Sequence, residues 1–257
     1  EKLENTISSL KSANNELKND IKKKEKSEEM RKEFLSNVTH ELKTPIALIQ
    51  GYAEGLRDNI QGDEESREFY CDVIIDEAAK MNTMVKRLLS LNELEFGDNK
   101  PQFDRFDIMS LLNSVVNAMN MVYKQKEVSL EINGNPSCFV WADEYLVEEV
   151  ITNYISNALN HVEEDKAGKK IVSICVRECE NKVRVSVFNT GKPIPEEDIE
   201  RIWDKFYKVD KARTREYGGN GIGLSIVKAI MNSLNRECGV KNWDNGVEFW
   251  FELDTKA

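Results

Sequence analysis

The chain contains two histidines, and one of them, His40, stands where an imidazole can react. It lies in Phe34-Leu-Ser-Asn-Val-Thr-His-Glu-Leu-Lys-Thr-Pro45, a charged stretch with helical spacing. A neutral imidazole offers one free nitrogen lone pair and one N–H. Glu41 is a carboxylate able to take that N–H, fix the tautomer and raise the nucleophilicity of the other nitrogen. Thr44, four residues on, shares a helical face with His40, so its hydroxyl can orient a water beside anything bound to the imidazole. Pro45 removes one hydrogen bond from a helix interior, at about 3 kcal/mol or more. That leaves the Glu41 carbonyl without its usual donor and loosens the turn that carries His40. The plainer reading is a surface histidine on an amphipathic helix.

A second set of polar residues lies further along. Asn153, Asn157, Asn160 and His161 fall at i, i+4, i+7 and i+8, so one helical face carries them all. Amides on an otherwise apolar helix are costly unless used. Their neutral oxygens are hard ligands suited to Mg²⁺, which keeps waters and shares phosphate oxygens; capping and solvation are the alternative. Asn189-Thr190-Gly191 ends a strand-like run, where a side chain can read a flat base edge or simply make a turn. Gly218-Gly-Asn-Gly-Ile-Gly-Leu224 opens a helix, and backbone N–H groups at a helix start bind phosphate. No strand runs directly into these glycines and no Gly-Lys-Ser/Thr follows, so neither a dinucleotide fingerprint nor a Walker loop is present. Trp203-Asp-Lys-Phe-Tyr-Lys-Val-Asp210, with Lys211, Arg213 and Arg215, precedes them. That is the makeup of a glycine-hinged, basic lid over a triphosphate, or of a solvated loop.

Composition narrows the partners. The 257 residues are 40% hydrophobic and 32% charged, enough for one or two domains with a core. A formal net charge of −10 argues against nucleic acid or an anionic membrane surface as main partner. No apolar run is long enough to span a bilayer, so no membrane contact is expected from this portion. The five cysteines are scattered without a C-x-x-C pair, which is reduced cytosolic usage rather than a disulfide framework or zinc site. The chain begins at Glu1 rather than Met and is expected to be part of a longer protein.

The elements that must position these groups follow in order. Over 1–28, Leu3, Ile7, Leu10, Asn14, Leu17 and Ile21 step by four and three, a short heptad seam with Asn14 at a core position, or a solvated helix. Over 29–60 the spacing predicts one long helix with Phe34, Val38, Leu42, Pro45, Ile49 and Tyr52 on its apolar face. A turn at Gly62-Asp63 leads to a second helix over 64–96, with Phe69, Val73, Asp76, Met84, Leu88 and Leu91 near one stripe. Two antiparallel helices cannot bury a full core, so a second copy is expected to complete a four-helix bundle. Residues 97–101 read as a linker. Over 102–257, the pattern predicts a helix at 108–123, strands at 128–132 and 138–141, and a helix capped by Asp143 and running to His161. A hairpin of strands at 170–178 and 182–189 follows, then a polar stretch at 193–220, a helix at 222–234, and closing strands at 237–240 and 246–253. Helices on one face of a mixed or antiparallel sheet make an α/β sandwich.

The order of these motifs resembles the bacterial two-component sensor histidine kinases, over about residues 29–254. His40-Glu-Leu-Lys-Thr-Pro45 is similar to the phosphoacceptor box of that family. Asn153-x3-Asn157-Ala158, Asn189-x-Gly191, Phe206-Tyr-Lys208 and Gly219-x-Gly221-x-Gly223-Leu224 are similar to the boxes of the nucleotide-binding fold shared with gyrase, Hsp90 and MutL. The resemblance implies an α+β chain. An N-terminal helical hairpin forming a dimeric four-helix bundle (29–96, after a signalling helix over 1–28) is followed, past the 97–101 linker, by an α/β sandwich ATP-binding domain (102–257). It implies a homodimer that takes the γ-phosphoryl group of ATP onto His40 and passes it to an aspartate of a response regulator receiver domain. It also implies a phosphatase activity toward that regulator. Glu41 would assist as base and Thr44 would orient water. Asn157 would hold Mg²⁺, with Asn153 near the phosphates. Asn189 and Gly191 would face the adenine, and Asn160 and His161 would line the nucleotide. Phe206 would anchor the lid, Lys208 would reach the phosphates, Gly219, Gly221 and Gly223 would form the hinge and phosphate-facing backbone, and Leu224 would belong to the nucleotide-binding set. A cytoplasmic portion of an inner- or plasma-membrane sensor is implied.

The chain departs from the family pattern at three positions. Asn189 replaces the commoner aspartate, giving up charge assistance of about 1 kcal/mol. Asn160 stands where lysine is common, and His161 where an aromatic residue is usual. An ATP-hydrolysing clamp is a rival, but such proteins use an acid where Asn153 stands, and an amide cannot serve as base. A catalytically silent dimer scaffold is the other rival, and nucleotide binding separates it from both.

Overall fold

The structure, a computed structural model, describes residues 2–58, 63–97, 100–209 and 221–256. They fall into two compact units, Glu1–Asn82 and Thr83–Ala257.

The first unit is built on α1 (Lys2–Arg57) and the first half of α2 (Glu64–Phe96). Helix α1 continues through Pro45 without interruption. Phe34, Val38, Leu42, Pro45, Ile49 and Tyr52 are all half-buried, as the apolar spacing predicts. Of the heptad seam, Leu3, Asn14, Leu17 and Ile21 are exposed. Asp63 starts α2, accepting from the Ser66 N–H at 2.7 Å and from its hydroxyl at 3.0 Å; Gly62 lies outside the described residues. The expected stripe on α2 needs correction. Phe69 is 57% exposed and Asp76 is exposed, while Tyr70, Ile74 and Glu77 are half-buried. The cause is a close approach near the hairpin's end. Tyr70 packs edge-on to Tyr52 at 5.0 Å, and a Cβ at Gly55 would stand 2.7 Å from the Tyr70 ring.

The second unit is a helical layer on a mixed sheet. The strands are β1 (Asp104–Asp107), β2 (Ser129–Asn133), β3 (Phe139–Ala142), β4 (Ile171–Cys179), β5 (Lys182–Thr190), β6 (Cys238–Trp243) and β7 (Gly246–Asp254). Their order is β1-β3-β7-β5-β4-β2, with β6 also paired to β7. Only β2 and β4 run parallel; the other pairs are antiparallel. The helices are α3 (Ile108–Ala118), α4 (Asn120–Gln125), α5 (Glu144–His161) and α6 (Gly223–Ser233). Val183, Val185 and Val187 of β5 and Val247, Phe249, Phe251 and Leu253 of β7 are buried on alternate positions. That alternation puts one sheet face under helices and leaves the other partly in water. Helix α5 lies on β5, with α3 and α6 packed against it. Its Tyr154 is fully buried and donates its hydroxyl to the Trp250 carbonyl at 3.2 Å.

Two features differ from the sequence reading. The single helix expected at 108–123 is broken at Met119, whose backbone leaves the helical region, so α4 is a separate turn. Strand β1 is additional. It has four residues of which only Phe106 is buried, too short for a period of two to register, and it exists through its pairing with β3.

Asp107 closes β1 and caps α3. Its carboxylate accepts from the Met109 N–H at 3.1 Å, the Cys138 N–H at 2.9 Å, and the hydroxyls of Ser137 and Ser110 at 3.0 and 3.3 Å. Burial pushes its pKa up, but these donors outweigh that and hold it below the usual carboxylate value. A folded pKa below the unfolded one gives stability that is present above the unfolded pKa and lost as pH falls. Asp107→Ala is therefore expected to destabilise the protein by about 1 to 2 kcal/mol at neutral pH. Denaturant titrations of both proteins should show the gap closing as pH drops from about 5 to about 3; a gap independent of pH would count against this role.

Candidate functional site

His40, Lys43, Thr44, Ala47 and Leu48 line an open depression on α1, within the first unit. His40, Lys43 and Thr44 are exposed, and Glu41 is half-buried. Helix geometry explains the split, since i and i+4 share a face and i and i+1 do not. As the sequence predicts, His40 and Thr44 share one helical face. Glu41 projects from the next face around, off the lining of the depression.

The second set converges in the other unit, where α5, the end of β5 and the start of α6 meet. Asp143 caps α5 by accepting from the Leu146 N–H at 3.2 Å, and the helix then sets the asparagines on one face. The Asn153 Nδ2 donates back to the Glu149 carbonyl at 2.8 Å. Its Oδ1 therefore points outward, toward Gly223 at the α6 N-terminus, where a Cβ would stand only 2.9 Å away. Glycine at 223 thus keeps the space in front of the asparagine open. Asn157 is half-buried one turn on.

Asn189 ends β5 on the helix side of the sheet and is 3% exposed. Its Nδ2 donates to the Thr190 carbonyl at 3.1 Å. That bond fixes the amide's orientation and leaves Oδ1 as the group able to accept from a ligand. Gly191 follows at φ +151, and a Cβ there would meet the His161 carbonyl at 3.0 Å. His161 itself is exposed at the end of α5.

Phe206 and Gly221 flank the stretch 210–220, which lies outside the described residues together with Lys211, Arg213, Arg215, Gly218 and Gly219. The Phe206 N–H donates to the Gly221 carbonyl at 2.8 Å, so the two ends of that stretch are joined at its base. Both residues have positive φ, +64 for Phe206 and +66 for Gly221. A Cβ at 221 would sit 2.9 Å from the Phe206 backbone, so only glycine allows the approach. Phe206 is buried, as an anchor should be, and Lys208 is half-buried just beyond it. Trp203 packs edge-on against Phe249 at 6.1 Å. Leu224 is half-buried in the first turn of α6.

Some residues of the site carry no sequence signal. Thr190 receives the Ile171 N–H at 3.1 Å and donates its hydroxyl to the Glu163 carbonyl at 2.7 Å, while the Glu163 N–H returns to the Thr190 carbonyl at 2.9 Å. Asn242 clamps Ile194 through both backbone groups, at 3.0 and 2.7 Å. Lys126 donates to Asn160 Oδ1 and to the Leu159 carbonyl, both at 3.0 Å. The Glu149 carboxyl, one turn before Asn153, is pushed up in pKa by burial, partly opposed by a Ser90 hydrogen bond and by Arg87. On the same side, Lys205 pairs with Glu95 at 2.6 Å. Thr190 was reachable as the neighbour of Asn189; the others depend on contacts far apart in sequence.

Among the described residues no group of histidine, cysteine, aspartate and glutamate could hold a metal ion. The half-buried Asn157 amide oxygen is a hard ligand of the kind that fits Mg²⁺, which takes few protein ligands and several from phosphate and water. No helix among the described residues is long and apolar enough to cross a membrane.

Comparison with known proteins agrees with this geometry. Residues 30–97 match the His Kinase A (phospho-acceptor) domain, and residues 142–257 match the histidine kinase-, DNA gyrase B-, and HSP90-like ATPase. The sensor histidine kinase WalK of Bacillus subtilis is 31% identical over 214 residues, covering 83% of this chain and 35% of that protein. The sensor protein kinase WalK of Staphylococcus epidermidis is 30% identical over 231 residues, covering 89% and 36%. The chain thus spans about a third of the length of these curated relatives. Among solved structures, histidine kinase ThkA in complex with the response regulator protein TrrA aligns with a TM-score of 0.69 and 27% identity, over 87% of this chain and 61% of that one. Histidine kinase AdeS of Acinetobacter baumannii aligns with a TM-score of 0.69 over 85% of this chain and 98% of that one, at 20% identity, a likeness of fold. With a phosphoacceptor domain bearing His40 and an ATP-binding domain bearing the asparagine face in tandem, the chain belongs to the sensor histidine kinases.

Proposed function

We propose that the chain phosphorylates His40 from ATP, passes the phosphoryl group to an aspartate of a response regulator receiver domain, and also removes it from that regulator. The observation that carries this reading is the pairing, in one chain, of an exposed histidine sharing a depression with Thr44 and a half-buried asparagine face edged by glycine. The match to ThkA, solved with a response regulator, supports the choice of partner. A second copy of the chain would cover the hairpin's exposed Leu35, Ile46 and Phe69, forming the four-helix bundle. The signalling helix 1–28, hairpin 29–96, linker 97–101 and ATP-binding domain 102–257 would be the working parts of a membrane sensor's cytoplasmic portion.

In the transfer, a His40 nitrogen lone pair forms the P–N bond as the γ-phosphorus loses its bond to the bridging oxygen, and ADP leaves with that electron pair. The ring proton released goes to Glu41 or water. Asn189 Oδ1 accepts from the adenine amine, with Gly191 allowing the base to approach. The α6 N-terminus and the Gly221–Gly223 backbone face the phosphates, while Lys208 adds a cation from the lid. Asn157 would hold Mg²⁺, which when bound neutralises charge on the transferring group. Thr44 orients water for removal of phosphate from the regulator. Asn153 cannot act as base for water, because a neutral amide has no group basic enough to take a proton near neutral pH; this sets the chain apart from ATP-hydrolysing clamps.

Incubation with Mg²⁺ and γ-labelled ATP should label the protein in an alkali-stable, acid-labile form, and the His40→Gln variant should take up none. Label that persists in the variant would rule out His40 as the acceptor. Asn189→Ala should raise the Kd for ATP roughly tenfold, the loss of one buried hydrogen bond, with little change in melting temperature. Calorimetric titration giving an unchanged Kd would remove Asn189 from base recognition.

A further inference from the structure

A bound triphosphate needs positive charge, and the α5 face offers little of its own. Asn153, Asn157 and Asn160 are neutral, and Glu149 stands one turn before them. A cation nevertheless stands directly behind that face, delivered by a different part of the chain. Helix α4 ends in a tight turn, with Glu127 at φ +56 and its N–H bonded to the Lys124 carbonyl at 3.1 Å. The Val128 N–H returns to the Tyr123 carbonyl at 3.0 Å, and the Ser129 N–H enters the sheet at the Lys170 carbonyl at 2.9 Å. This fixed turn aims Lys126 at the last turn of α5, where its ammonium donates at 3.0 Å to both Asn160 Oδ1 and the Leu159 carbonyl. Burial draws the Lys126 pKa down, the mark of an ammonium taken partly out of water to serve these oxygens.

An ammonium can only donate, so the Asn160 group facing it is the oxygen. The amide's two N–H donors are then turned away from Lys126. Asn160 lies two turns beyond Asn153 on the same helical face, the face that the proposed function assigns to the nucleotide. A cation on the carbonyl end of an amide strengthens donation from its nitrogen end. We propose that Lys126 is a positioning residue of the nucleotide site: through Asn160 it sets and polarises an amide donor toward the phosphates, supplying from behind the helix the charge that residue 160 does not carry. The inference rests on the proposed nucleotide-binding role of the α5 face. It differs from a plain helix cap, since an ammonium at the last turn also complements the helix dipole, and a cap would act alike on every ligand.

The test uses the whole chain and three variants: Lys126→Met, which keeps the stem; Lys126→Arg, which keeps the charge; and Lys126→Met with Asn160→Lys, which returns a charge directly to the face. Affinities for adenosine, ADP and ATP are measured by calorimetry, together with KM and kcat for His40 labelling and the melting temperature of each unliganded variant. Lys126→Met should weaken ADP and ATP about tenfold and adenosine by less than twofold, raising KM with little change in kcat. Lys126→Arg and the double variant should regain most of the lost affinity. Equal weakening of adenosine and ADP, or a lower melting temperature with unchanged nucleotide affinity, would reduce Lys126 to a cap and overturn the inference. So would unchanged ADP affinity in a Lys126→Met variant that melts normally. If the unsubstituted chain bound no ATP, the proposed function would fall and this inference with it, whereas normal His40 labelling beside an indifferent Lys126→Met variant sinks the inference alone.

Discussion

The end of α5 and the end of β5 are tied by a reciprocal pair of hydrogen bonds between Glu163 and Thr190, and the nucleotide side of this protein depends on that seam. A helix lying on a sheet can slide, because apolar contacts are weakly directional. Two opposed hydrogen bonds at the helix exit remove that freedom. Once α5 cannot slide, Asn153, Asn157 and Asn160 hold fixed heights above the sheet, and Asn189, one residue before Thr190, holds a fixed distance from them. Thr190 also takes the Ile171 N–H at 3.1 Å, so the start of β4 is registered to the same point.

Three of the neutral amides in this region are turned by a partner that leaves one end usable. Asn153 gives its nitrogen to a carbonyl of its own helix, Asn189 gives its nitrogen to the next residue, and Asn160 gives its oxygen to Lys126. An amide buried without such a partner would be free to turn either end toward a ligand. The local bond decides whether it accepts or donates, at far less desolvation cost than a buried charge. The departures from the family's charged residues at 189 and 160 thus sit among contacts that suit amides. An aspartate at 189 would place a carboxylate against the Thr190 carbonyl, which the present amide satisfies.

What the sequence made legible was whatever is decided locally. Helix α2 begins and ends at Glu64 and Phe96, and α5 runs from its Asp143 cap to His161, because caps and apolar spacing act within a turn or two. The β4–β5 hairpin turns at Glu180 and Asn181 for the same reason. The functional motifs were legible because their spacing matches helix and turn geometry, so His40 with Thr44, and the asparagine face, emerge together. What stayed hidden was decided by distant partners. Strand β1 depends on Ala142 across from Asp104. The bond between Lys126 and Asn160 spans 34 positions. The positive φ of Phe206 could not be anticipated, since a bulky residue rarely takes that conformation; it is held there by burial and by the Gly221 carbonyl.

The two reactive sets are built in opposite ways, and the proposed chemistry gives that contrast a consequence. His40 stands on an exposed helical surface, in an open depression. Asn153 and Asn189 are instead held by bonds to neighbouring backbone, so their geometry is prepared before any ligand arrives. Under the proposed chemistry, a change in the geometry of α1 that hides or presents the His40 face would control transfer. A proline one residue after Thr44, in the middle of a helix of 56 residues, suits that kind of control. The backbone bond it forgoes makes the turn bearing His40 cheaper to deform than the turns around it, and strain arriving from the N-terminal end of α1 would be taken up there first.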